Sequence, residues 1–193
     1  MRGWNYWAGG LALTLLWMHC EKSAYHQQLS EQLATGQRFD TILFDIHFGM
    51  QRNDFFAYCW KKNQEGLFTN GSTNTTVRYK TKEFLSKPVY VDFYPTFYND
   101  RIIEMPVYFN YEAFAPWDKS FSSDSLYAEV LTFITTKYET TFADIKLPHE
   151  PEPVKISLRG NRRIMLRKEN DKVVALFSDM SLHPDRILKK KEK

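Results

Sequence analysis

The sequence predicts an α+β domain in which two helices pack on an antiparallel β-meander sheet, and three observations predict it. Aromatic residues make up 16% of the chain, with 15 Phe and 11 Tyr, and flat side chains favour strands because they pack well on a pleated surface. Two stretches carry apolar residues at helical spacing, and each is followed by three strand-like segments separated by turn residues, so the order reads as helix plus three strands, twice. The chain of 193 residues is 43% hydrophobic and 25% charged, enough to bury one core without staples. This composition argues against a disordered or multi-domain chain.

The N-terminus divides the chain. Arg2 precedes an apolar run from Trp7 to Met18, which ends at His19 and Cys20. A positive start followed by about 7–15 apolar residues is the order of a signal peptide, and the run is shorter than the roughly 20 residues that a membrane-spanning helix needs. Residues 1–20 are therefore assigned to a signal peptide or membrane anchor. Cys20 stands where a lipoprotein carries its acylated cysteine and is the candidate lipid-attachment residue. The residue before it, His19, is bulky where a small one is usual, so tethered and secreted fates both stay open. Residues 21–40 are polar, with Leu29 and Leu33 the regular apolar pair, and read as a short helix or tether. The folded domain is expected over residues 41–183, and residues 184–193 form a basic tail.

Within the domain, Thr41 to Phe48 reads as a strand stopped by Gly49-Met50. A helix follows, with Gln51 in the cap position and Asp54 three residues later. Phe55, Phe56, Cys59 and Trp60 are expected on its buried face, and Gly66 stops it. The polar loop Thr69 to Thr75 leads into a strand over Thr76 to Lys80. Strands over Val89 to Tyr94 and Arg101 to Tyr111 come next, with Asn99-Asp100 as the turn. Asp124 caps a second helix whose stripe is Leu126, Val130, Phe133, Ile134 and Tyr138. The Pro-rich stretch Leu147 to Pro153 ends that unit. Strands over Val154 to Leu158, Arg162 to Lys168 and Lys172 to Ser178 close the domain, turning at Gly160-Asn161 and Asn170-Asp171.

The chemistry-bearing residues are few. Net charge is +3, and the positive run Lys189 to Lys193 sits in a tail rather than on a folded stripe, which speaks against nucleic-acid binding. Asp45 and His47 alternate on a strand in the manner of a metal-binding Asp-x-His pair, so a small metal-dependent hydrolase is one alternative reading. His149, Glu150 and Glu152 are held in a prolyl linker as solvated charge. Cys59 on an apolar helix face reads as a buried thiol. No zinc spacing and no phosphate-cradling glycine loop is present in the sequence, so no cofactor, metal site or catalytic residue is assigned. Asn70-Gly-Ser and Asn74-Thr-Thr match the glycosylation sequon, which matters only in a eukaryotic secretory pathway. Arg159, Arg162 and Arg163 gather around a hairpin tip and could grip an acidic partner or a lipid headgroup, which suits an inhibitor or immunity-like protein as a further alternative. Tyr90, Tyr94 and Tyr108 lie on the aromatic first meander and complete the candidate binding residues.

The run Phe48-Gly49-Met50 entering a helix with Phe55, then a loop and a meander, resembles uncharacterised exported proteins of Gram-negative bacteria. More distantly it is similar to envelope lipoproteins of the SmpA/OmlA type and the related β-lactamase-inhibitor-like fold. That resemblance implies a non-catalytic envelope protein that binds or scaffolds a protein partner, periplasmic, membrane-tethered or secreted.

Overall fold

The computed structural model describes residues 20–182 except 74, 82–83, 114 and 148–151. The apolar run Trp7 to Met18, the pair His149-Glu150, Asn74 and the basic tail lie outside the described residues. The protein is α+β, with three α-helices and one nine-stranded antiparallel sheet among the described residues. The helices are α1 (Cys20–Ala34), α2 (Arg52–Gln64) and α3 (Ser123–Tyr138). The strands are β1 (Phe68–Asn70), β2 (Val77–Thr81), β3 (Val89–Phe93), β4 (Thr96–Tyr98), β5 (Arg101–Tyr111), β6 (Ala143–Ile145), β7 (Val154–Arg159), β8 (Arg162–Glu169) and β9 (Lys172–Asp179). Their order across the sheet is β1-β2-β3-β5-β9-β8-β7-β6, and β4 pairs with β5.

Local chemistry explains the breaks. Pro95 follows Tyr94 between β3 and β4 and has no N–H to donate, so the ladder along β5 is interrupted there. Residues 107–111 of β5 pair with β3, and residues 101–104 pair with β4. Asn99 and Asp100 both take positive φ, 47° and 57°, the backbone that a two-residue turn needs to match strand twist. Helix α2 begins at Gln51, whose side chain makes no capping bond, and ends at Gly66 with φ 73°, a left-handed stop. For α3 the cap is Ser122, which accepts from the Ser125 N–H, rather than Asp124. Asp124 sits in the first turn instead, where its charge suits the helix dipole.

One face of the sheet holds the main core. Met105, Val107 and Phe109 of β5 stand beside Phe177, Ala175 and Val173 of β9, and Leu126, Val130, Ile134 and Tyr138 of α3 cover them. Ile42, Leu43, Ile46 and Phe48 join the same core, but not as a strand. Phe44 and Asp45 take left-handed φ of 54° and 60°, and the Ile42 and Ile46 amides bond to the Ile46 and Leu43 carbonyls. The segment is a tight apolar plug, fastened where the buried Tyr138 hydroxyl donates to the Ile42 carbonyl. A loop can bury all four of these apolar residues, whereas alternation would have turned Leu43 to the face opposite Ile42, Ile46 and Phe48.

Helix α1 belongs to the folded unit. Tyr25 and Leu29 are buried on the opposite face of the sheet with Val154 and Ile156 of β7 and Met165 of β8, and Leu33 packs against them. The chain then returns past the β7–β8 hairpin. There Asn161 Oδ1 accepts from the Phe39 N–H at 2.7 Å, Asn161 Nδ2 donates to Asp40 at 2.9 Å, and Arg38 bridges Asp40 and the buried Asp179. Buried polar groups placed this way are satisfied mutually, which fixes residues 36–41 against the sheet.

Candidate functional site

Helix α2 presents opposite faces to the core and to solvent. Phe55 is fully buried, with its ring at 5.9 Å from that of Phe97. Tyr58 packs edge-on against Phe68 at 6.1 Å. Cys59 completes this inner face, where burial pushes its thiol pKa up to about 12, so it stays protonated and unreactive. At about 100° per residue, Phe56 and Trp60 point away from that stripe. Trp60 is 67% exposed and Phe56 44%, which corrects the expectation that both are core.

A second aromatic pair extends this surface from the sheet. Tyr94 is 37% exposed and sits 6.0 Å from Phe55 and 6.3 Å from Phe97. Phe97 in turn meets Phe56 at 6.3 Å and carries the Arg52 guanidinium over its ring at 4.2 Å. Arg52 is held by Asp100 at 2.9 Å. The surface is thus Phe56, Trp60, Tyr94 and Phe97 with one stacked arginine, braced from below by a buried ring. Aromatic side chains with few rotatable bonds and a preorganised arginine are the residues that dominate protein interfaces.

The other residues named from the sequence are distributed differently. Tyr90 and Tyr108 do share a face, since Asp92 lies opposite Tyr108 and Tyr90 opposite Asn110. That is the reverse face of the sheet, beyond the cluster beneath α1, and Tyr94 is not part of it. The Tyr90 ring is already occupied by this chain's own cations, with Arg78 at 4.2 Å and Lys80 at 5.9 Å. Arg78 forks onto the buried Asp92 at 2.7 and 2.8 Å, and Ser72 Oγ adds a donor at 3.0 Å.

Burial alone would raise the Asp92 pKa, but the hydrogen bonds and charge of Arg78 and the Ser72 donors hold it below the usual carboxylate range. A folded-state value below the unfolded one, about 3.9, gives stabilisation that is present above that pH and lost as pH falls through the folded value. Asp92→Asn is therefore expected to lose about 2 kcal/mol at pH 7. In urea denaturation the gap to the parent chain should narrow below about pH 4; a gap independent of pH would contradict this role.

The three arginines divide between the two sides of the sheet. Arg159 donates to the Tyr138 and Glu139 carbonyls at the end of α3, at 2.9 and 3.3 Å, closing orphan helix acceptors. Arg162, opposite it in register, is buried, donates to the Thr41 carbonyl at 3.1 Å and lies over the Tyr138 ring at 4.6 Å. Arg163 points to the other side, onto Tyr25 and Ser178, each at 3.2 Å. Each guanidinium thus has an internal structural partner.

Asp45 and His47 do not alternate on a strand, because Asp45 is in the left-handed turn of the plug. Both are exposed, and His47 Nδ1 lies 2.9 Å from the Phe48 carbonyl. Among the described residues no three His, Cys, Asp or Glu side chains gather, and no helix is long and apolar enough to cross a membrane. Compared with protein-family models, curated proteins and solved structures, the chain matches none.

Proposed function

We propose that the protein is a non-catalytic binding or scaffolding protein of the cell envelope, held there by residues 1–20, and that it engages a protein partner through the outward face of α2. The observation that carries this reading is Trp60, 67% exposed, on the same side of a helix as Phe56, whose ring meets Phe97, which Tyr94 in turn contacts. Exposed large rings grouped on a rigid element are costly to leave in water and gain most from a partner that covers them. The backing by Phe55 and Phe97 means that little conformational freedom would be lost on docking. The element order also supports a repeat reading. A helix followed by antiparallel strands occurs from α2 to β5 and again from α3 to β9, and the last strands of the two runs lie side by side.

Cell fractionation with intact-mass measurement of the full-length product tests the location, because cleavage and acylation at Cys20 both change the mass. A Phe56→Ser, Trp60→Ser double variant tests the surface. It should fold with unchanged thermal stability and lose at least about ten-fold in partner capture, since a buried tryptophan anchor is worth about 2 kcal/mol or more. A chain recovered wholly in the cytosol, or a double variant that keeps its partner, would overturn the proposal.

A further inference from the structure

A cleft of about 790 Å³ runs between the segment Phe84–Ser86 and the solvent side of α3. That volume is within the range of small-molecule sites. Its floor is the Phe84–Phe133 stack, with ring centroids 4.9 Å apart and planes inclined by 20°, and Leu85 lines it as well. The α3 wall is a ridge of small side chains at four-residue spacing, Ala128, Thr132 and Thr136. None of these is bulky enough to fill the space above the stack.

The two ends of the cleft differ in charge. At one end Glu129 is saturated by the Ser86 N–H and hydroxyl, both at 2.8 Å, and by the Tyr111 hydroxyl at 3.0 Å. These donors pin the segment to the helix and leave that carboxylate little capacity for a ligand. Two turns further on, roughly 12 Å along the helix, Lys137 lines the other end. Its ammonium lies 5.9 Å from the Phe133 ring and has no acidic partner among the described residues. An apolar trough that ends in a cation with no acidic partner among the described residues complements an apolar body with a single anionic head.

We infer that this cleft binds an amphipathic carboxylate of the medium-chain fatty-acid class, with its chain over Phe84 and Phe133 and its head at Lys137. The inference concerns a different surface from the α2 face and does not depend on it. The test is photolabelling of the purified full chain with diazirine-bearing dodecanoate and, in parallel, with the matching dodecanol, the labelled peptides being mapped by mass spectrometry. Mapping separates labelling of the cleft from labelling of the apolar N-terminus.

Dodecanoate label should fall on the peptides carrying residues 84–86 and 128–137, be competed by unlabelled dodecanoate, and drop at least ten-fold in Thr132→Trp. Ala128→Trp provides a second plug should Thr132→Trp not fold. Lys137→Glu should reduce carboxylate labelling about ten-fold and leave alcohol labelling unchanged, and Lys137→Arg should retain both. Labelling spread over the surface, labelling indifferent to both tryptophan plugs, or equal loss of carboxylate and alcohol in Lys137→Glu would each overturn the inference.

Discussion

Phe55→Ala should lower unfolding stability by about 3–5 kcal/mol, while Phe56→Ala, one residue along, should change it by less than about 1 kcal/mol. The two side chains are chemically identical and adjacent, so only their placement differs. Phe55 is fully buried among Phe56, Tyr94 and Phe97. Removing its ring leaves a cavity that the sheet corner at Pro95 cannot close, because β4 is held to β5 by its own ladder. Phe56 keeps 44% of its surface in water and returns little hydrophobic free energy when truncated. Urea denaturation of both variants decides the matter, and equal losses would mean that α2 is rotated relative to the structure described. Partner capture by the Phe56→Ala variant separates folding from binding, because capture should weaken while the fold keeps its stability.

The second large effect is expected at Gly160. Its φ is +55°, and a Cβ there would meet the Gln37 carbonyl oxygen at 2.4 Å and the Phe39 ring at 2.9 Å. Neither can yield freely. Residues 36–41 are fixed by the Phe39 N–H to Asn161 bond and by Arg38 on Asp179, and Gly160 itself donates to Gln32 at 2.9 Å. Gly160→Ala should therefore cost about 3 kcal/mol, combining the left-handed penalty with loss of that clip. Gly66→Ala is the internal control: φ is +73° but the Cβ would meet nothing within 4 Å, so only the conformational penalty of about 1 kcal/mol is expected. Thermal melts that place the two substitutions level would contradict the close approach of the Gln37 backbone.

The long strands and both interior helices were legible because their signals are periodic and local. Strand β5 matches the expected Arg101–Tyr111, and Asn99-Asp100 and Gly160 take the positive φ that their turns require. The short strands β1, β4 and β6 carry three residues each, too few for alternation to register. They exist because longer neighbours offer them free ladder groups. The plug at residues 42–48 was misread as a strand because nothing in Phe44-Asp45 announces a left-handed pair; that conformation is imposed by burying Ile42, Leu43, Ile46 and Phe48 together under α3. Helix α1 was ambiguous for a related reason. Tyr25, Leu29 and Leu33 form a narrow stripe, and its worth becomes visible only when the reverse sides of β7 and β8 prove apolar.

The candidate site was the least legible part. Phe55, Phe56, Cys59 and Trp60 span an arc of about 140° on a helix, wider than the side that one sheet corner covers. The sequence alone assigned the whole arc to the core. Tyr58 and Lys62 were the missed signal: Tyr58 packs inward on Phe68 and Lys62 lies 5.7 Å over the Tyr58 ring, which rotates the buried stripe away from Phe56 and Trp60. The arginines at the β7–β8 hairpin show the converse effect. Adjacent residues in a strand face opposite ways, so Arg162 and Arg163 could not act as one patch once both flanks of that strand were covered.

The direct test of the α2 surface is site-specific photocrosslinking of the full chain in cells, with a photoreactive phenylalanine placed at position 60 and, separately, at position 117. Trp117 is 82% exposed but stands apart from the ring contacts that surround α2, which makes it the matched control. The account predicts a discrete protein adduct from position 60 in the envelope fraction, lost when Phe56 and Tyr94 are both changed to Ser, and none from position 117. Identical adducts from both positions, or no adduct from position 60, would contradict it.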